Sequence, residues 1–130
     1  MNTAVVALGS NIRPKFHIDQ ACALLSQKFK ILVTSQFVVT KPIGYSHQPD
    51  FLNGAVLLET ELDYQKFYLE LKQLEAVLGR KREKNPLGPR TIDLDIIVWN
   101  HKIVDQDFYQ RDFIKKSVLE LLPNLKETNA

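Results

Sequence analysis

The sequence predicts an α+β protein, a two-layer ferredoxin-like βαββαβ sandwich with its helices on one face of an antiparallel sheet and an extra C-terminal helix. Three observations predict it. Strand-like and helix-period segments follow one another in that order along 130 residues, a length suited to a single domain, 1–130, with its own core. Apolar residues recur at helical spacing in two stretches, Ile18, Cys22, Leu25, Phe29 and then Tyr64, Phe67, Tyr68, Leu71, Leu74, Leu78. The segments are joined by turn residues, with no internal repeat and no linker composition.

Each element has a local reason. Residues 3–8 form a short apolar run that stops at Gly9-Ser10-Asn11 and reads as a buried strand. An amphipathic helix is expected over about 14–29. Residues 31–40, rich in β-branched side chains, read as a second strand. Pro42, Gly44 and Pro49 make 41–50 a loop. Residues 51–59 give a third strand. The second helix starts at Asp63, a good N-cap, and stops at Gly79. A charged loop over 80–87 precedes a strand over 91–99, and a last helix is expected over about 112–122.

Composition sets outer bounds. Hydrophobic content of 45% and charged content of 25% are ordinary for a soluble globular protein. A net charge of +2 does not suggest a nucleic-acid binder. A nucleic-acid-binding sheet would need aromatics between basic residues on its open face, and this one carries acids. The single cysteine, Cys22, excludes an internal disulfide framework and reads as a small buried hydrophobe in a reducing compartment. The run 4–8 is too short for a signal or a membrane span. A cytoplasmic protein with no membrane partner is the expectation.

The most informative stretch is 88–95, Gly-Pro-Arg-Thr-Ile-Asp-Leu-Asp. Side chains alternate faces along a strand, so Asp93 and Asp95 share one face, about 7 Å apart, while Ile92, Leu94, Ile96 and Val98 point to the core. Two such carboxylates repel unless a cation sits between them. Magnesium takes oxygen ligands and binds one or two carboxylates together with substrate phosphates, and Arg90 offers a planar fork for those phosphates. The alternative for the pair alone is a strand with one solvated face. Phe51 and Asn53 likewise share a face, a ring beside an amide that both donates and accepts. They suit a heteroaromatic ligand, or else a core ring and a backbone-paired amide. The run 80–84 could close over a polyphosphate or be a solvated loop, and Glu75 is a surface residue by default. Gly9-Ser10-Asn11 lacks the spacing of a phosphate loop. His17, His47 and His101 lack zinc-ligand spacing.

Three segments in order, Ala7-Leu8-Gly9-Ser10-Asn11, Gln48-Pro49-Asp50-Phe51-Leu52-Asn53 and the 88–95 signature, make the chain similar to the 6-hydroxymethyl-7,8-dihydropterin pyrophosphokinase (HPPK) family over about residues 4–125. The resemblance implies transfer of the β,γ-diphosphate of ATP to the pterin's hydroxymethyl oxygen, leaving AMP, in folate biosynthesis. It implies that Asp93 and Asp95 hold two Mg2+ ions and that Arg82 and Arg90 contact phosphates, with Arg80 in the same loop cluster. Glu75 would line the ATP site, Ile96 would meet adenine through its backbone, and Arg111 would bind phosphate. Phe51 and Phe113 would sandwich the pterin, Asn53 would read its polar edge, and Thr40 and Ile43 would add backbone groups. Loops 41–50 and 80–87 would seal the site. The partners implied are small molecules, ATP and the pterin, acting on a monomer.

The chain also departs from the family. Pro86 and Leu87 stand where an arginine and a tryptophan are usual. The family's Val-Pro-His stretch is missing after Trp99, where the chain runs Asp105-Gln106-Asp107-Phe108-Tyr109-Gln110-Arg111, and the C-terminal region is short. Loss of one such ATP contact would cost about 1–3 kcal/mol. Two readings follow: a working enzyme, or a pterin- or nucleotide-binding relative without turnover.

Overall fold

The structure, a computed structural model, describes residues 1–80 and 88–127. In chain order the elements are β1 (Asn2–Ser10), α1 (Pro14–Lys28), β2 (Lys30–Thr34), β3 (Val38–Thr40), β4 (Phe51–Thr60), α2 (Tyr64–Val77), β5 (Asp93–Trp99), β6 (Lys102–Ile103), α3 (Asp107–Gln110) and α4 (Asp112–Leu121). The strands form one sheet in the order β2-β4-β1-β5-β6, with β3 also on β4. Each of these pairings is antiparallel. The chain is thus a mixed α+β protein built on an antiparallel sheet.

The local signals at the helix ends act as expected. Pro14 opens α1, where its missing N–H costs nothing. The Asp63 carboxylate caps α2 by accepting from the Lys66 N–H at 2.9 Å. Gly79, at φ +87°, ends the same helix in a left-handed turn. There the Gly79 N–H reaches Ala76 O at 3.0 Å and the Arg80 N–H reaches Glu75 O at 2.9 Å, the paired bonds of a Schellman motif. That turn fixes the direction in which Arg80 leaves the helix.

Four expectations need correction. The single strand expected over 31–40 is two, β2 and β3, because Ser35 breaks the ladder. Its N–H bonds Ala55 O at 2.9 Å, but its Oγ replaces a backbone acceptor for the Ala55 N–H at 2.8 Å. Phe37 then packs onto Gly54, where a Cβ would lie 2.6 Å from the ring. Secondly, Val98 does not share a face with Ile92, Leu94 and Ile96. The β1–β5 register shifts between Val5 and Val6, which leaves Ile97 as an extra residue on β5 and turns Val98 to the opposite face. Thirdly, β6 and α3 are additional elements. The link from β5 to β6 is a two-residue turn, Asn100-His101, with positive φ at both positions (48° and 67°), as a tight hairpin demands.

Finally, the sheet is covered on both faces. Ile18, Ala21 and Leu25 of α1 and Phe67, Leu71 and Leu74 of α2 pack with Ala4, Val6, Leu8, Val56, Leu58, Leu94 and Ile96 on one face. Phe108 of α3 and Val118 and Leu121 of α4 pack with Val5, Ala55, Ile97 and Val98 on the other. The architecture is therefore three layers where two were expected. The alternation of β1 dictates this, since all of residues 4–6 are buried. The second face is only part covered, and its uncovered end carries the polar residues of β4 and β5.

Candidate active site

Strand register assembles the site. Gly9 of β1 pairs with Asn53 on one side and Asp93 on the other, and Ala7 pairs with Ala55 and Asp95. The amide and the first carboxylate therefore lie in one cross-strand row, two strand spacings or about 9–10 Å apart. Between them the floor is glycine and alanine. At Gly9 a Cβ would come within 2.6 Å of Asn53 Oδ1, so glycine is what lets the amide lie down against β1. Above this floor is a cleft lined by Thr40, Ile43, Phe51, Asn53, Arg90, Asp93, Asp95, Asp107, Arg111 and Phe113. Phe51 and Asn53 come from β4, Phe113 from the start of α4, and Arg111 from the α3–α4 junction. The Asn53 Nδ2 donates to Thr40 Oγ1.

A second, smaller cavity lies around the open edge of β5, lined by Tyr68, Lys72, Glu75, Arg80, Asp93 and Asp95. β6 covers β5 only at Val98 and Trp99, so α2 side chains satisfy the edge nearer the aspartates. Glu75, the surface residue of the default reading, is instead buried, and its Oε2 accepts from the Leu94 N–H at 2.7 Å. Ile96, two residues further, turns its backbone to the same edge by strand periodicity and buries its side chain. Asp93 and Asp95 line both cavities.

Charge at this junction is tightly paired. Asp93 sits between Arg90, Nη1 to Oδ2 at 2.7 Å, and Arg80, Nε to Oδ1 at 3.2 Å. Arg90 also donates from Nε to Gly88 O at 3.0 Å and lies 4.8 Å over the Phe51 ring. Asp95 meets Lys72 Nζ at 3.4 Å. The surrounding protein desolvates Asp95 and pushes its pKa up to about 6; Lys72 opposes this, and the charges of Asp93, Glu75 and Asp105 add to it. Burial lowers the Lys72 pKa, but attraction to Asp95 and Glu75 outweighs it, and the net shift is upward. Arg111 is held by Asp107, Nε to Oδ1 at 3.4 Å.

All the sequence-predicted site residues that the structure describes fall in or beside these two cavities. The structure divides them: Glu75 and Arg80 flank the edge cavity, whereas Arg111 lies in the face cleft with the rings. Arg82, Pro86, Leu87 and the rest of loop 80–87 beyond Arg80 lie outside the described residues. Two further residues matter. Lys72 joins α2 to Asp95, and its only sequence signal is its i,i+3 spacing to Glu75. Asn11, 3% exposed, ties the three signature segments together. Its Nδ2 donates to Gln48 Oε1 (2.7 Å) and Pro49 O (3.0 Å), its Oδ1 accepts from the Arg90 N–H (2.8 Å), and its own N–H reaches Arg90 O (3.1 Å).

Comparison with known proteins identifies the family. The family model for 7,8-dihydro-6-hydroxymethylpterin-pyrophosphokinase (HPPK) matches residues 5–123. Among relatives, the 2-amino-4-hydroxy-6-hydroxymethyldihydropteridine pyrophosphokinase of Haemophilus influenzae is 33% identical across 100% of this chain and 88% of its own length. The enzymes of the same name from Bacillus subtilis (36% identical, 97% of this chain, 81% of the relative) and Helicobacter pylori (33%, 82% and 68%) are also similar. The chain belongs to the HPPK family.

Proposed function

We propose that the chain transfers the β,γ-diphosphate of ATP to the hydroxymethyl oxygen of 6-hydroxymethyl-7,8-dihydropterin, giving the pterin diphosphate and AMP in folate biosynthesis. One observation carries the reading: a ring-and-amide cleft and an edge cavity meet at a shared pair of aspartates. In this reading Phe51 and Phe113 stack the pterin, Asn53 reads its polar edge after leaving Thr40, and Ile43 closes from the 41–50 loop. Glu75, Ile96 and Arg80 line the nucleotide's place on the β5 edge. Arg90 and Arg111 reach its phosphates from the face cleft, and Arg82 joins them on the resemblance alone.

The donor set fits magnesium. Asp93 and Asp95 offer hard oxygens. The Asp95 pKa is raised first by burial and further by the neighbouring charges of Asp93, Glu75 and Asp105, an environment in which a divalent cation would favour the charged form. No group of three or more His, Cys, Asp or Glu side chains placed to hold a metal occurs among the described residues, and magnesium commonly takes its remaining ligands from phosphates and water. Asp93 and Asp95 would hold the two Mg2+ ions that the resemblance implies, and the chemistry so supplied would be neutralisation of charge on the phosphates. The protein's own task is then positioning: the oxygen–Pβ bond forms in line as the bond from Pβ to the bridging oxygen on Pα breaks. The same reading takes the sheet order as ferredoxin-like with an added helical layer, and the protein as a single-domain cytoplasmic monomer; no helix among the described residues is long and apolar enough to cross a membrane.

A binding relative without turnover gains no support from the site, because carboxylates and cations both stand in place. After Trp99 the chain forms the β5–β6 hairpin and then α3, whose Phe108 is buried. AMP release from ATP and Mg2+ tests the reading. Release that needs the pterin and vanishes in Asp95→Ala is expected; folded wild-type protein that binds pterin but releases no AMP would refute it.

A further inference from the structure

Lys72 occupies an unusual place for a helix-surface lysine. Its Nζ lies 3.0 Å from Leu94 O, 3.1 Å from Glu75 Oε2 and 3.4 Å from Asp95 Oδ1, so all three ammonium donors face oxygen. The side chain is only 21% exposed, and the Tyr68 ring lies 5.4 Å from the ammonium. Two members of this oxygen cage are fixed: Leu94 O belongs to a strand, and the Leu94 N–H pins the Glu75 carboxylate. The third, Asp95, is shared with the face cleft.

Two carboxylate oxygens and a carbonyl are also what a hard cation selects. An ammonium and a divalent ion therefore compete for Asp95. We propose that Lys72 is a resident counter-cation, which neutralises Asp95 in the empty site and must yield it when a metal ion arrives, swinging within the edge cavity onto the nucleotide. The flexible four-carbon stem and point charge of lysine permit such a transfer, whereas a rigid guanidinium would not. Arg80 lines the same cavity, so the displaced ammonium would join a cationic wall for the phosphates. The nucleotide half of this inference rests on the diphosphate-transfer reading. The metal half does not.

The test uses Mn2+ as a spectroscopic probe, with no nucleotide present. Free and bound Mn2+ would be measured by electron paramagnetic resonance for wild type, Lys72→Met and Lys72→Gln, with Asp95→Asn marking the ion held at that site. Removing a neighbouring unit charge should tighten Mn2+ binding about tenfold, the lower end of charge–charge coupling. Binding of a non-hydrolysable ATP analogue should weaken by a similar factor in both variants. Mn2+ affinity equal to or weaker than wild type, in either variant that melts as a folded protein, would overturn the proposal and leave Lys72 a brace between α2 and β5. If wild type shows no pterin-dependent AMP but the Mn2+ shift appears, the counter-cation stands and the transfer reading falls.

Discussion

Asn11→Asp separates two jobs that one side chain performs. The substitution keeps the oxygen that accepts from the Arg90 N–H and removes the Nδ2 hydrogens that hold Gln48 and Pro49. Two hydrogen bonds at about 1 kcal/mol each are lost, and a buried oxygen is turned against two acceptors at a further cost of about 1–3 kcal/mol. The total is about 3–5 kcal/mol, shared between folding stability and seating of the 41–50 loop. If half falls on the loop, the KM for the pterin rises about tenfold to sixtyfold. The assay is AMP release at saturating MgATP with varied pterin, then at saturating pterin with varied ATP, beside a thermal melt. The expected pattern is a raised pterin KM, an unchanged ATP KM and a lowered Tm. Asn11→Ala, which also abandons the Arg90 N–H, should disturb both substrates. An Asn11→Asp protein with a lowered Tm and both KM values unchanged would refute the argument, because the clamp would then serve folding alone.

Gly9→Ala should raise the pterin KM about tenfold or more while leaving ATP binding intact, since the new methyl forces Asn53 from its seat 2.6 Å away. Titration of the pterin by calorimetry checks it. The raised pKa of Asp95 has two consequences of known sign. Its folded form holds a proton up to about pH 6, so its contribution to the stability of the metal-free protein is full below the ordinary carboxylate value of 3.8 and is lost as pH rises through about 6. Asp95→Asn should therefore melt higher than wild type at pH 7.5 without metal, an advantage that fades by pH 4, although its activity is gone. Metal must displace the same proton, so Mn2+ affinity should fall about tenfold for each pH unit below about 6.

The sequence made the site more legible than its surroundings. Alternation alone put Asp93 and Asp95 on one face, and the caps at Asp63 and Gly79 followed from side-chain chemistry within four residues. Glu75 was hidden because its partner, the Leu94 N–H, is nineteen residues away and exposed only by the absence of a neighbouring strand there. The Asn100-His101 hairpin lacked the Asn-Gly signal that marks such turns. The bulge that turns Val98 over depends on pairing with β1, which no local pattern reports. The second helical layer was missed for a related reason. The apolar stripe of α4 says that it packs, but only the alternating burial of β1 and β5 says which face was left for it.

The contacts of Arg90 predict an order of events. One guanidinium holds Asp93, bonds Gly88 O and lies over Phe51. The last contact covers one face of the ring that the proposed reading assigns to the pterin. With Arg90 so placed the cleft encloses about 90 Å3, below the roughly 300–1,000 Å3 usual for small-molecule sites. A polyphosphate offers the guanidinium a better, bidentate partner, and drawing it there releases Asp93 Oδ2 and uncovers the Phe51 ring in one movement, while Arg80 keeps its hold on Asp93 Oδ1. The nucleotide should therefore bind first and help the pterin, by about 1–3 kcal/mol or fivefold to 150-fold if the coupling has its ordinary size. Pterin titrations with and without a non-hydrolysable ATP analogue and Mg2+ measure that coupling. Arg90→Ala should let the pterin bind without nucleotide and erase the coupling, even as turnover collapses. Coupling that survives in Arg90→Ala would mean that the order is not set by the arginine on the ring.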